Sequence, residues 1–449
     1  MTMRRPEDPV KIGLVGTFDV DNYGDCLFPE LYAHEIAKRI PGARFTLYSP
    51  FARAARILSF DTVLALPATL DAASFDEDVL VLTGGETLSS GHNSGTYIVP
   101  LSTLSHYLRL WLVPTMAATT STTKFIAHSV GVRNGPADNS LVARLLESAD
   151  RISLRDASSH SRLDEKFTVD VDPVFLLPDM LSQDDWTRRC AGLLPDGLEC
   201  GSYIAVQATN SYFAAELDEW CDEVAKVLKA TGKKALMVPV CHFLEDYRFL
   251  EIAGARLAAR YPELADTLYF LPQDRQNVMD TAALIARSAG YIGTSLHGAV
   301  TAAAFALPMS VYSGHGKKNG KHYQTLLAAG IDDGVFHSLD DLADCFAASG
   351  ASDLVARSKV AQDRARKSVE ILSEAILAPK ETRPPLDPAD ISAICQADRT
   401  TVSTCKERVK RRVFSLLRSF PTLYEGYRSI RLRHQFANVA DANPSDRRN

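Results

Sequence analysis

At 449 residues the chain is long enough for two cores, because a single core seldom grows past roughly 250–300 residues. Hydrophobic residues make up 46% and charged residues 23%, ordinary globular proportions. The net charge of −6 lacks the strong basic footprint of phosphate-backbone binders, so no nucleic-acid partner is expected.

Arg4 and Arg5 near the N-terminus have no apolar stretch behind them, and residues 11–16 are too short and Gly-rich for a signal-peptide core. No run approaches the roughly 20 apolar residues of a membrane helix. The eight cysteines (26, 190, 200, 221, 241, 345, 395, 405) are scattered, with no Cys-x-x-Cys pair. That pattern suits free thiols in a reducing compartment better than a disulfide framework or a zinc site. A cytoplasmic protein without metal or cofactor is expected.

In chain order, the first apolar run (11–16) reads as a buried parallel strand. A polar loop (17–25) leads to a helical pattern over about 27–40, stopped by Pro41-Gly42. Strands follow at 44–48 and 78–83, the second ending in Gly84-Gly85. A helix at about 100–118, a strand at 124–130, a helix at 141–148, a strand at 151–154 and a helix at 158–165 complete a first lobe, residues 10–185. The Pro-, Asp- and Gly-rich stretch 176–201 reads as a linker. Alternation restarts with strands at 203–207, 235–240, 267–271, 291–293 and 309–312. Helices at about 214–230, 246–261, 277–289, 299–306 and 322–329 accompany them in a second lobe, residues 200–345. Such alternation implies parallel sheets covered by helices. The expected class is α/β, with two Rossmann-like lobes facing across a cleft and ligands at the carboxyl ends of the strands.

A C-terminal helical extension (350–435) opens with a helix at 354–377 and a Pro-rich turn (Pro379, Pro384, Pro385, Pro388). Between Thr404 and His434 nine Lys or Arg stand against two Glu, and Val409, Val413, Leu416, Leu417 and Phe420 share one helical face. This segment either packs on the protein with a solvated basic face or contacts an anionic membrane peripherally. Residues 438–449 are polar and expected to be disordered.

Loops after strands carry the candidate chemistry. In Gly293-Thr294-Ser295-Leu296-His297-Gly298 a strand runs into a small-residue helix, whose N-terminus suits phosphate or carboxylate. Gly298 permits close backbone approach to a ligand; His297 is placed to donate to an anion or act as general acid, or is simply a surface residue. Asp25, in Asn22-Tyr23-Gly24-Asp25, is a base, an acceptor for sugar hydroxyls, or a cap for the helix near Leu27. Gly84-Gly85-Glu86 is a permissive loop. Arg155, directly after a strand, is either a carboxylate or phosphate clamp or a structural partner of Asp156 or Asp172. His315, Lys317, Lys318, Lys321 and His322 form a cationic cluster after strand 309–312. Walker A, HExxH, GxSxG and GxGxxG motifs are absent, against an ATPase, a zinc protease, a serine hydrolase or an ordinary dinucleotide dehydrogenase.

Taken together, Asn22-Tyr-Gly-Asp25, Gly84-Gly85, Ser153-Leu-Arg-Asp156 with Ser159, Val171-Asp-Pro-Val-Phe-Leu-Leu177 and Ser295-Leu-His-Gly298 resemble, in order, the polysaccharide pyruvyl transferase family. The resemblance spans roughly residues 11–330. It implies a GT-B-like fold and transfer of pyruvate from phosphoenolpyruvate, as co-substrate, to a sugar of a surface polysaccharide or its lipid-linked precursor. Two positions depart from the family pattern: Ser295 stands where many members carry an Arg, and Glu86 where a third glycine is frequent. Under the resemblance His297 and Asp25 are the catalytic candidates, with Arg155, Asn22, Gly84, Gly85, Ser295, Gly298, Lys317 and Lys321 contacting substrate. The same lobes would also serve a GT-B glycosyltransferase using a nucleotide-sugar, or a non-catalytic carbohydrate-binding or assembly protein.

Overall fold

The computed structural model describes residues 9–91, 97, 99, 102–134, 137–163, 166–209, 213, 215–271, 277–314 and 320–400. Two compact units divide them. The first comprises residues 9–20, 25–173 and 363–400; the second comprises 21–24 and 174–362. Lys317, the basic segment 404–434 and the tail 438–449 lie outside the described residues.

In the first unit seven parallel strands, β1 (Lys11–Val15), β2 (Arg44–Ser49), β3 (Leu64–Ala65), β4 (Val79–Thr83), β5 (Lys124–Val130), β6 (Arg151–Leu154) and β7 (Thr168–Val169), lie in the order 3-2-1-4-5-6-7. Every residue of β4 and β5 is buried, as expected for strands covered on both faces. Helix α1 (Tyr23–Arg39) follows β1, and α2 (His106–Thr120), α3 (Asn139–Leu146) and α4 (Ala157–Leu163) connect later strands. The core gathers Leu108, Trp111, Phe125, Leu145 and Leu154. The indole of Trp111 donates to Ser89 O at 2.7 Å, so the largest core side chain leaves no polar atom unmet.

The second unit repeats the plan. β8 (Tyr203–Val206), β9 (Lys234–Met237), β10 (Leu268–Phe270), β11 (Gly290–Gly293), β12 (Met309–Tyr312) and β13 (Val335–Phe336) form a parallel sheet in the order 10-9-8-11-12-13. Helices α5 (Gln183–Ala191), α6 (Leu217–Thr231), α7 (Asp246–Arg260), α8 (Val278–Ala286), α9 (Leu296–Ala304), α10 (Lys321–Ala328) and α11 (Leu342–Ala351) belong to it. The strand order of each sheet reverses once, between β1 and β4 and between β8 and β11. At such a switch point neighbouring connections diverge and leave a crevice beyond the strand ends, where ligands bind in open α/β sheets. Among the described residues no helix is long and apolar enough to cross a membrane.

The C-terminal helices are α12 (Leu354–Leu377) and α13 (Pro388–Thr400). Three elements depart from the sequence expectations for physical reasons. The expected linker at 176–201 contains α5, whose Trp186 is fully buried edge-on to Phe305 and whose Arg189 pairs with Asp280 at 2.7 Å. The Pro-rich turn ends in a helix, because Pro388 occupies a first helical position, where its missing N–H costs nothing. β3, β7 and β13 are two residues each, too short for a periodic pattern to mark.

Candidate active site

At the switch point of the second sheet, β8 runs into Gln207 and β11 into Thr294-Ser295. Gln207 Oε1 accepts from Thr294 N (2.8 Å), Ser295 N (3.1 Å) and Thr294 Oγ1 (3.1 Å). One buried amide therefore fixes the turn between strand and helix. From the other side His322, buried in the first turn of α10, donates from Nε2 to Thr294 O at 3.0 Å. Ser295 caps α9, its Oγ accepting from Gly298 N at 3.3 Å. The partial positive charge of that helix start is held in a rigid loop.

His297 sits in the first turn of α9, 9% exposed. Thr301 Oγ1 donates to His297 O at 2.7 Å, so the Tyr23 hydroxyl, 2.7 Å from Thr301 Oγ1, is the donor in that second bond. Tyr23 N donates to Val240 O at 3.0 Å, and Asn22 forms a β-bridge with Cys241. These contacts lie within the second unit, of which residues 21–24 are a part. A Cβ on Gly24 would lie 1.9 Å from His297 Nδ1. Glycine is required there because the imidazole occupies the space a side chain would take.

Asp246, at the start of α7, supports the same turn. It is fully buried, and its Oδ2 accepts from Gln207 Nε2 (2.9 Å) and Cys241 N (2.9 Å). Burial pushes its carboxyl up to about 6, against hydrogen bonds that lower it. A carboxyl raised in the folded state keeps a proton that the unfolded chain has already released. Its contribution to stability is therefore full at low pH and is lost as pH rises from about 4 through about 6. Asp246→Asn is expected to remove a pH slope worth roughly 3 kcal/mol across that window, read by denaturant unfolding at several pH values. An unchanged slope would exclude Asp246 as its source.

In the first unit the corresponding loops hold Gly84, Gly85, Glu86, Arg155 and Asp25. Gly84 and Gly85 have φ of +65° and +75°, the left-handed region that glycine adopts without penalty. Gly131 N donates to Gly85 O at 2.7 Å, tying this turn to the segment after β5. Arg155 is 1% exposed, with Nε 3.8 Å from Asp156 and Nη1 3.8 Å from Asp172. Its Nε and Nη2 have no hydrogen-bond partner among the described residues. Nη2 lies 3.1 Å from the point a Cβ on Gly131 would occupy, and Glu86 Cγ lies 3.2 Å from the same point. Asp156 is itself held, its Oδ1 accepting from Ser159 N at 2.7 Å, while Ser159 Oγ accepts from Val132 N at 3.0 Å.

Asp25 lies in the first turn of α1, which starts at Tyr23, so it does not cap a helix at Leu27. Its Oδ1 is 3.9 Å from the Cβ point of Gly85. Tyr107, on α2, receives a hydrogen bond from Arg133 Nη1 at 3.0 Å. Its phenol is pushed above the ordinary value by burial first, with Glu86 and Asp25 adding to the rise and Arg133 opposing it.

The predicted residues thus fall into two sets: Asn22, Ser295, His297 and Gly298 in the second unit, and Asp25, Gly84, Gly85 and Arg155 in the first. Lys321 is exposed at the start of α10. Sequence reading missed Gln207, Asp246 and Tyr23. The first two stand just beyond β8 and at the helix after β9, where the strand-end rule would have found them.

A family model described as polysaccharide pyruvyl transferase matches residues 22–315. No curated protein sequence matches the chain. Among solved structures, the UDP-GlcNAc 2-epimerase from Methanocaldococcus jannaschii aligns at 9% identity and a TM-score of 0.51, covering 82% of this chain and 100% of that one. A putative UDP-N-acetylglucosamine 2-epimerase from Listeria monocytogenes aligns at 12% identity and a TM-score of 0.47, covering 84% and 93%. A glycosyltransferase from Rickettsia africae aligns at 13% identity and a TM-score of 0.42, covering 88% and 98%. At such identities the likeness is one of fold, the pair of parallel α/β sheets of the GT-B type.

Proposed function

Because the chain belongs to the polysaccharide pyruvyl transferase family, we propose that it moves pyruvate from phosphoenolpyruvate onto two hydroxyls of a sugar as a cyclic ketal. The acceptor is a surface polysaccharide unit or its lipid-linked precursor. The observation that carries the reading is the state of Arg155: a buried guanidinium, beside a glycine-lined turn, whose Nε and Nη2 make no hydrogen bond among the described residues although Asp156 lies 3.8 Å from Nε. A buried donor without a partner is costly, and a carboxylate or phosphate of the donor substrate would meet both nitrogens at once.

In the proposed reaction one sugar hydroxyl adds to C2 of the enolpyruvyl group while C3 takes a proton. The C2–O bond to phosphate then breaks, the oxygen leaving with its electron pair. The second hydroxyl bonds to the cationic C2 and loses its proton, giving ketal and phosphate. His297 is assigned the acid or anion-holding role, supported by its seat at a capped helix start. Arg155 is assigned the donor's negative groups and Asp25 the hydroxyl proton. Ser295 keeps the capping role, so the family's frequent arginine has no counterpart at that position. The nine basic residues between Thr404 and His434 would suit an acceptor presented at an anionic membrane.

Gly24→Ala keeps every group of this scheme but forces the His297 ring to move. It is expected to lower kcat at least about tenfold with little loss of thermal stability. Wild-type turnover in that variant would show that the seat of His297 is irrelevant. The donor itself is tested by thermal shift. Phosphoenolpyruvate at about 100 times its Kd should add roughly 2.7 kcal/mol of stability. Stabilisation by nucleotide-sugars alone would replace this reading with glycosyl transfer.

A further inference from the structure

Helix α13 lies beyond the family-matched residues and carries a carboxylate that the proposed chemistry does not use. Asp398 is 1% exposed. Its Oδ1 accepts from Gly91 N at 2.6 Å and its Oδ2 from Ser105 N at 3.0 Å. Gly91 stands six residues after Gly85, and Ser105 caps α2 by accepting from Leu108 N. One side chain therefore holds both ends of the connection from the glycine turn to α2.

The helix that bears it is anchored. Ile394 is fully buried in the core of the first unit, and Asp390 takes a two-pronged hydrogen bond from Arg144 at 2.8 and 3.1 Å. Just before α13, Lys380 Nζ donates to the carbonyls of Ala118, Ser121 and Thr123 at the end of α2. The extension thus grips α2 at both ends. A buried carboxylate persists where N–H donors meet it, and without it two backbone amides would lose their acceptor. α2 begins at His106-Tyr107, and Tyr107 lies within electrostatic reach of Glu86 and Asp25.

We propose that Asp398 is a positioning residue for the acceptor side of the site, setting the first turn of α2 against Glu86 and Asp25 through Ser105. The C-terminal extension is then a working part of the first unit. The word acceptor rests on the function proposed above.

The test uses the full chain with Asp398→Asn and Asp398→Ala, and the exposed Ser392→Ala as a control on the same helix. Hydrogen exchange followed by mass spectrometry reads the amides of Gly91 and Ser105, and initial rates of transfer read the KM for each substrate. Expected are exchange at least about tenfold faster at these two amides, an acceptor KM raised about tenfold and a donor KM within about twofold, with exchange and both KM values unchanged in Ser392→Ala. The asparagine variant offers one acceptor oxygen instead of two and should fall between wild type and alanine. Unchanged exchange and KM in Asp398→Ala would overturn the proposal, as would faster exchange throughout the first unit with both KM values altered alike. If no acceptor is turned over by the wild type, the transferase reading fails while the exchange arm still decides whether Asp398 holds the two ends.

Discussion

His297→Ala is expected to abolish turnover, with kcat falling roughly 10²–10⁴-fold, the usual worth of a positioned acid or base. The chain should still fold. His297 makes its contact with Thr301 through the backbone carbonyl, which alanine retains, and Ser295 still caps the helix. The lost ring leaves a space beside Gly24 at the margin of the core, so only a modest fall in melting temperature is expected. His297→Gln separates the two roles open to the ring. If it only holds an anion by donating a hydrogen bond, the amide should recover part of kcat; if it supplies the proton, it should not. Near-normal kcat in His297→Ala would end the assignment of chemistry to this residue.

Arg155 should give the second large effect, and here chemistry and stability must be separated. Arg155→Met leaves Asp156 and Asp172 buried without their cation, and breaking one side of a buried pair costs about 3–5 kcal/mol. Loss of activity in that variant would be ambiguous. Arg155→Lys keeps the charge between the two carboxylates while removing the planar fork. A single ammonium cannot meet two oxygens as guanidinium does. The lysine variant is therefore expected to unfold within a few degrees of wild type while the KM for phosphoenolpyruvate rises about 10²-fold. A donor KM left unchanged in Arg155→Lys would make Arg155 a structural ion pair and nothing more.

The strand–helix alternation was legible because each buried parallel strand is a short apolar run closed by turn residues. The strand-end rule singles out His297, Arg155 and Asp25 as candidates from the sequence alone. What stayed hidden depends on long-range packing. Gly24 reads as an ordinary loop glycine, and only the ring of His297, far away in sequence, explains why no side chain fits there. Gln207 looks like the polar end of a strand, yet it organises a turn 87 residues on. Asp398 follows a run of prolines that signals an end to regular structure, and its partners lie about 300 residues earlier. Trp186 sits in a stretch whose Pro, Asp and Gly content outweighed one buried aromatic. Local pattern records local structure, and these residues answer to distant neighbours.

The reaction itself is tested most directly by following phosphate release from phosphoenolpyruvate with a panel of lipid-linked and nucleotide-linked sugars, and by identifying the product by mass and NMR. Pyruvyl transfer predicts acceptor-dependent phosphate release and one new quaternary carbon bonded to two sugar oxygens and a carboxylate, both lost in His297→Ala. Phosphate release without an acceptor adduct, or a glycosidic product formed from a nucleotide-sugar with phosphoenolpyruvate untouched, would contradict it.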